Sequence, residues 1–252
     1  LATAASASEA VAGAEVVFTM LPDGHVVRAV VDEIAPEMAE GSLLVDTSSA
    51  EPWLTRESAA RLADHGVRMV DAPVSGAEWG ARDAALVFMV GGAAPDVAEA
   101  RPLLDLMGRA VHHVGPLGAG HVMKSINNVV TAMTVIATTE AMLVGRAHGL
   151  DPAAMTDVLN VSTGQSFWTT ERLRQDVLNR AFADGFKLSL MRKDVDIAAR
   201  LAAEEGVRAP TLASAQEMWR AAEAALGPGA AVTEMVRWIE GETGRTLDAR
   251  GD

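Results

Sequence analysis

The sequence predicts a protein in two parts: an α/β unit with a mostly parallel sheet, followed by an all-helical unit built round a long central helix. Three observations predict it. Short β-branched apolar runs alternate with amphipathic stretches through the first half. The periodicity then changes after Gly118, and from His121 to His148 the chain has no proline and shows apolar residues on every side. Beyond Asp151 each remaining segment reads as a helix.

The apolar runs at 14–21, 41–48, 67–74 and 85–92 are short enough for buried strands. An amphipathic helix is predicted over 24–39. A second helix lies between the next two strands, where Pro52 suits a first turn. A third runs from Pro95 to Met107 and leads into a short strand at Val111–Val114. Strands that alternate with helices of this length form βαβ units, whose strands are parallel. A helix from His121 to His148 is about 40 Å long, and one that is apolar all round must be buried. Asp151-Pro152 supplies an acceptor cap followed by proline, the start of a new helix. Helices are also predicted over 170–181, 189–206, 210–226 and 231–240. The boundary therefore falls near residue 117, with domains 1–117 and 118–252.

Composition excludes several functions. The chain has 252 residues, 49% apolar and 22% charged, which is enough for a real core. It has no cysteine, so thiol nucleophiles, disulfides and cysteine-ligated metals are ruled out. With no tyrosine, no phenol acts as a proton donor. A net charge of −13 and a pI near 4.9 argue against nucleic acid or an anionic membrane as partner. No uninterrupted apolar run reaches the ~18 residues of a membrane span. The first residues carry no basic segment of a secretory signal, and a cytoplasmic protein is expected. The six histidines (25, 65, 112, 113, 121, 148) show no metal-ligand spacing, so no metal is expected.

Only three of the 21 basic residues are lysines: Lys124, Lys187 and Lys193. Lysine, unlike arginine, sheds its proton when desolvated. Lys124 stands in G-A-G-H-V-M-K-S-I-N-N (118–128), with Asn128 four residues on and so on the same helix face. Burial would bring its pKa down from ~10.4 towards the range of a general acid/base. D-A-P-V-S-G-A-E-W-G-A (71–81) runs from a strand end into a small-residue loop, where Ser75, Gly76 and Ala77 either present donors to a carboxylate or make an ordinary tight turn. M-L-P-D (20–23) and D-T-S-S (46–49) also end strands and either line a cofactor or simply turn. Lys193–Asp194 reads as a solvated pair at the start of a helical stretch. One expected element is missing. A dinucleotide-binding unit opens with a glycine-rich turn into a helix, and none precedes Ala14, so roughly two βαβ-type units of about 30 residues are expected ahead of Leu1.

These segments together resemble the β-hydroxyacid dehydrogenase family, which includes 3-hydroxyisobutyrate dehydrogenase and tartronate semialdehyde reductase. The motifs occur in order: Met20-Leu21-Pro22, Asp46-Thr47-Ser48-Ser49, Asp71 to Ala81 with Met89 to Gly92, Gly118 to Asn128, and Phe186 to Asp194. The resemblance implies a Rossmann-type dinucleotide-binding domain, N-terminally incomplete, followed by an all-α domain. It implies NAD or NADP as cofactor and a small β-hydroxy acid, or its semialdehyde, as substrate. Lys124 would move the proton at the substrate oxygen, with Asn128 beside it. Ser75, Gly76 and Ala77 would hold the substrate carboxylate, with Trp168 near the pocket. Met20, Leu21, Pro22, Thr47, Ser48 and Ser49 would line the dinucleotide, and Lys193 would close over it. Two departures stand out: Ala77 replaces a glycine, and the stretch Arg82-Asp83-Ala84-Ala85-Leu86 lacks the family's usual glycine. The apolar central helix leads us to expect a homodimer or homotetramer. Two alternatives remain: a truncated, non-catalytic binding module, and a decarboxylating 6-phosphogluconate-type dehydrogenase. The latter is disfavoured because Asn127 stands where that group has histidine.

Overall fold

Alternation inside the short apolar runs gives the sheet its two faces. The computed structural model describes residues 3–248, and the chain divides into two compact units, one ending at Lys124 and the other beginning at Ser125. In the first unit, a short helix α1 (Ala7–Val11) leads into β1 (Val16–Thr19), α2 (Gly24–Ile34), β2 (Leu43–Asp46), α3 (Pro52–Ala63) and β3 (Arg68–Asp71). There follow β4 (Val74–Ser75), α4 (Ala77–Arg82), β5 (Leu86–Gly91), α5 (Ala94–Leu104) and β6 (Gly108–Gly115). Strands β1, β2 and β3 are parallel and in register, so that Thr19, Asp46 and Asp71 lie side by side at their carboxyl ends. Leu43, Val45 and Val70 pack with Val97, Ala100 and Leu104 of α5 on one face. Leu44 and Met69 pack with Val27, Val31, Ile34 and Leu62 on the other.

The structure departs from the simple βαβ pattern in one place. β5 is parallel to β6 but antiparallel to β3, and β4, which the sequence reading missed, pairs antiparallel to β5. α4 has six residues and reaches only about 9 Å, too short to carry the chain back along the sheet for a parallel return. Among the described residues β1 ends the sheet order, with Phe18 38% exposed. The predicted 24–39 helix stops at Ile34 and continues as a 3₁₀ turn over Ala35–Glu37, where Pro36 breaks the regular hydrogen bonding. Asp23 caps α2 through Val26 N (2.9 Å), and Pro52 opens α3 as expected.

The long helix α6 (Ala119–Ala147) begins in the first unit and continues in the second. There it is followed by α7 (Pro152–Asn160), whose cap is Asp151. The predicted 170–181 helix is a π-helix over Trp168–Val177, and α8 (Leu188–Glu204), α9 (Pro210–Leu226) and α10 (Met235–Thr243) complete the unit. Its core brings Met142 of α6 together with Leu173, Leu188, Met191, Trp219 and Met235. α6 reaches a mean hydropathy of 1.3 over an 18-residue window, so by length and composition it is apolar enough to cross a membrane. A count of uninterrupted apolar residues misses this, because single polar residues break the runs. Yet 44% of that window is buried in the protein, and the buried face includes Asn128 and Thr139 as well as Ala132 and Val135.

The start of α6 lies directly against the sheet. A Cβ on Gly120 would stand 2.8 Å from Asp71 Oδ2 and 2.9 Å from Asp71 O, and closer still to the Met89 carbonyl oxygen. The second glycine of G-A-G is therefore required by close approach. Gly120→Ala is expected to cost about 1–3 kcal/mol through forced displacement of the helix. Thermal unfolding measures this, and an unchanged Tm would show that the contact is slack.

Candidate active site

Three polar side chains end three adjacent parallel strands, and their hydrogen bonds join the loops that follow. Thr19 Oγ1 donates to Asp46 Oδ1 (2.9 Å), which also accepts from Ser48 N (3.1 Å). Thr47 Oγ1 donates to the Thr19 carbonyl (2.7 Å), and Leu21 N donates to Ser48 Oγ (2.9 Å). The structure thus joins Met20, Leu21 and Pro22 to Thr47, Ser48 and Ser49 as one ledge at the carboxyl end of the sheet, where α/β proteins take ligands. Met20 is 67% exposed on it. The first N–H groups of α2 are already satisfied, Gly24 N by Glu51 Oε2 (3.0 Å) and Val26 N by Asp23. Two carboxylates at this helix start repel phosphate, so the ledge fits the neutral nicotinamide–ribose half of a dinucleotide better than its pyrophosphate.

Asp71 ties α6 to the sheet. Its carboxylate accepts from Gly118 N (2.7 Å) and His121 N (2.8 Å), so an anion sits at the positive end of the helix dipole. His121 is fully buried, with Nδ1 2.7 Å from Thr55 Oγ1 and Nε2 3.1 Å from the Ser48 carbonyl. Lys124 follows one turn later, half-buried. Ser75, Gly76 and Ala77 lie elsewhere in the same unit. Ser75 ends β4, paired with Val87, and Gly76 caps α4 at φ +135°. Ala77 is exposed at φ +52°, left-handed backbone that glycine adopts freely and alanine only at a cost.

In the second unit Asn128 is buried; its Oδ1 accepts from Asn127 Nδ2 (3.0 Å) and its Nδ2 donates to Asp194. The solvated Lys193–Asp194 pair expected from the sequence is corrected here. Asp194 is 1% exposed and the Lys193 side chain 14%, with Nζ 3.3 Å from Asp194 Oδ1. Helical spacing explains it: Met191, Asp194, Val195 and Ala198 share the buried face of α8. Trp168, expected near the pocket, is 2% exposed in the helical core, and its neighbour Phe167 is the exposed aromatic. Asp46, Asp71 and His121 stand in the motifs without a role that spacing could assign, and the structure brings them together. The available signal was an acid closing each of two short strands, and a histidine inside an apolar helix.

A sheet unit with a ledge at its strand ends, followed by a helical unit, defines the class: a Rossmann-type α/β domain joined to an all-α domain. Residues 1–115 match the NAD-binding domain of 6-phosphogluconate dehydrogenase, and residues 118–239 match the NAD-binding region of NADP-dependent 3-hydroxyisobutyrate dehydrogenase. The chain is 38% identical to the 3-hydroxyisobutyrate dehydrogenase of Pseudomonas aeruginosa, over 82% of this chain and 72% of that one. It is 36% identical to the NAD-dependent L-serine dehydrogenase of the same organism, over 86% and 76%. The structure of the Mycobacterium tuberculosis 3-hydroxyisobutyrate dehydrogenase with L-serine superimposes with a TM-score of 0.85 at 33% identity, covering 93% of this chain and 82% of that one. The chain belongs to the β-hydroxyacid dehydrogenase family.

Relief of the backbone strain at Ala77 is measurable. Ala77→Gly is expected to raise stability by about 1 kcal/mol, since the αL cost to alanine exceeds the entropy that glycine adds to the unfolded chain. A lowered Tm would mean that the methyl group makes a contact worth more than the strain.

Proposed function

We propose that the protein interconverts a small β-hydroxy acid, of the kind represented by 3-hydroxyisobutyrate, and its semialdehyde, with NAD or NADP and with Lys124 as the general acid/base. The observation that carries the reading is the fixed start of α6. Asp71 caps it, His121 locks it to the strand-end ledge, and Lys124 stands half-buried one turn further on. A bound nicotinamide would supply the hydride acceptor for oxidation of the carbinol carbon and the hydride donor for the reverse reaction. In oxidation, neutral Lys124 Nζ takes the hydroxyl proton as the C–O bond becomes a carbonyl. In reduction, protonated Lys124 polarises that carbonyl and gives the proton back. Asn128, held by Asp194 and Asn127, orients the substrate oxygen. Ser75 and the backbone N–H groups of Gly76 and Ala77 take the substrate carboxylate. The ledge Met20–Pro22 with Thr47–Ser49 receives the neutral half of the dinucleotide, and Lys193 is assigned to the cofactor by the family resemblance.

A cytoplasmic homodimer or homotetramer is the setting this reading expects. Its support is the row Ile126, Val130 and Val144 along α6, which are 47%, 56% and 61% exposed. Apolar side chains in a stripe of this kind are often covered by another subunit.

The test is a cofactor-reduction assay of the natural protein with a panel of β-hydroxy acids that includes 3-hydroxyisobutyrate and L-serine; absence of saturable turnover with every member would sink the proposal. Lys124→Ala is expected to lower kcat by roughly 10²–10⁴-fold with little change in the cofactor KM. Lys124→Arg does not rescue it, because a guanidinium keeps its proton. Ser75→Ala is expected to cost about 1–3 kcal/mol of substrate binding, seen as a raised KM for the hydroxy acid alone. A change confined to the cofactor KM would assign the loop to the dinucleotide instead.

A further inference from the structure

We infer that Glu51 is a specificity-determining residue: its carboxylate occupies the start of α2 and keeps phosphate off the ledge, leaving that surface to the nicotinamide–ribose half of the dinucleotide. The start of a helix presents unpaired N–H groups and the positive end of a dipole, which together attract anions. α2 has eleven residues and begins just beyond the ledge loop Met20–Pro22. Its first N–H group, Gly24 N, donates to Glu51 Oε2 (3.0 Å). Glu51 belongs to the other ledge loop, two residues beyond Ser49, and is only 9% exposed. The carboxylate therefore crosses from one ledge loop to the other and holds the N–H that an incoming phosphate would use.

Two features separate this contact from ordinary capping. α2 already has a cap of its own, since Asp23 Oδ1 accepts from Val26 N (2.9 Å). A second acid at the same helix start adds like-charge repulsion and the cost of burial to what it gains. Space is also kept open for it. A Cβ on Gly24 would stand 2.5 Å from Glu51 Oε2 and 3.2 Å from Glu51 N, so glycine at 24 is what admits the carboxylate. The main chain of Glu51 is fixed in turn. Its carbonyl accepts from Thr55 N (3.1 Å) and from Thr55 Oγ1 (3.1 Å), and Thr55 is buried. An anion buried and anchored in this way does not give up its place to a phosphate. It discriminates by repulsion, which costs a phosphate group at the ledge and leaves the nicotinamide–ribose half unopposed.

The selection of one half of the cofactor rests on the proposed docking of the dinucleotide on the ledge, whereas the exclusion of phosphate does not. The deciding measurement is the backbone amide signal of Gly24 in the natural protein during titration with inorganic phosphate, against chloride at equal ionic strength. The wild type is expected to show no saturable shift, and a saturable shift there would overturn the inference. Glu51→Ala frees Gly24 N and removes the charge. It is expected to bring a saturable shift, with phosphate affinity at least about tenfold above the wild-type limit; no gain would overturn the inference. If Glu51→Ala fails to fold, Glu51→Gln keeps an acceptor for Gly24 N while removing the charge. A smaller gain is then expected of it, and no gain overturns the inference. Asp23→Ser keeps a cap and leaves Glu51 in place, so it is expected to behave as the wild type. A phosphate shift in that variant would assign the exclusion to Asp23 instead. Cofactor binding, followed by fluorescence titration, is expected to be weakened by phosphate more in Glu51→Ala than in the wild type. If phosphate reaches Gly24 without that added effect, the docking of the dinucleotide on the ledge falls while the exclusion by Glu51 stands.

Discussion

The carboxylate of Asp71 is the contact on which the candidate site depends. It ends β3 and at the same time receives the first free N–H groups of α6. A buried carboxylate is costly alone; here the backbone donors and a neighbouring imidazole supply what water would have supplied. Because β3 is a central strand packed on both faces, this single cap fixes where α6 starts and which way its first turns face. The G-A-G sequence is the steric half of the same arrangement. With glycine at 120 the helix backbone can approach the Asp71 and Met89 carbonyl oxygens, and any larger residue would push it away.

Adjacent strand ends then work as a unit. Parallel pairing in register sets Thr19, Asp46 and Asp71 in a row, and Thr47 and Ser48 fold back to bond the loop after β1. Loops that would otherwise move independently become one surface, with short polar side chains satisfied internally. Such internal satisfaction leaves apolar and main-chain groups facing outward, which suits a planar, neutral ring more than a phosphate. The left-handed Ala77 stands in contrast: there the chain retains a strained residue at the exposed start of α4 where glycine would be at ease.

In the helical unit the polar exception is equally informative. Asn128 and Asp194 are buried among aliphatic side chains and satisfy one another across α6 and α8. Removing either would leave the other unpaired, so the pair fixes the relative register of two helices that apolar packing alone would hold less specifically. The π-helix from Trp168 adds a second departure from regular geometry in the same unit, with Ser166 and Thr169 bonding one another's backbone at its start.

The sequence by itself determined the two-part architecture, the positions of nearly all strands and helices, and the family. Period, β-branched runs, caps such as Asp23 and Asp151, and proline placement are local signals, and local physics reads them directly. Lys124 stood out as a candidate because lysine is rare in this chain and lies in an apolar helix, and the strand-end motifs only through the family resemblance. Tertiary structure alone decided the rest. The antiparallel β5 followed from the reach of a six-residue helix, Trp168 turned inward to fill the helical core, and Asp194 was buried because its helix face met Asn128. The gathering of Asp46, Asp71 and His121 depended on strand register between residues 25 and 75 positions apart, and no periodicity in one chain encodes which strand ends become neighbours. Polar residues become partners only when their elements pack, so their roles emerge from contacts that sequence separation conceals.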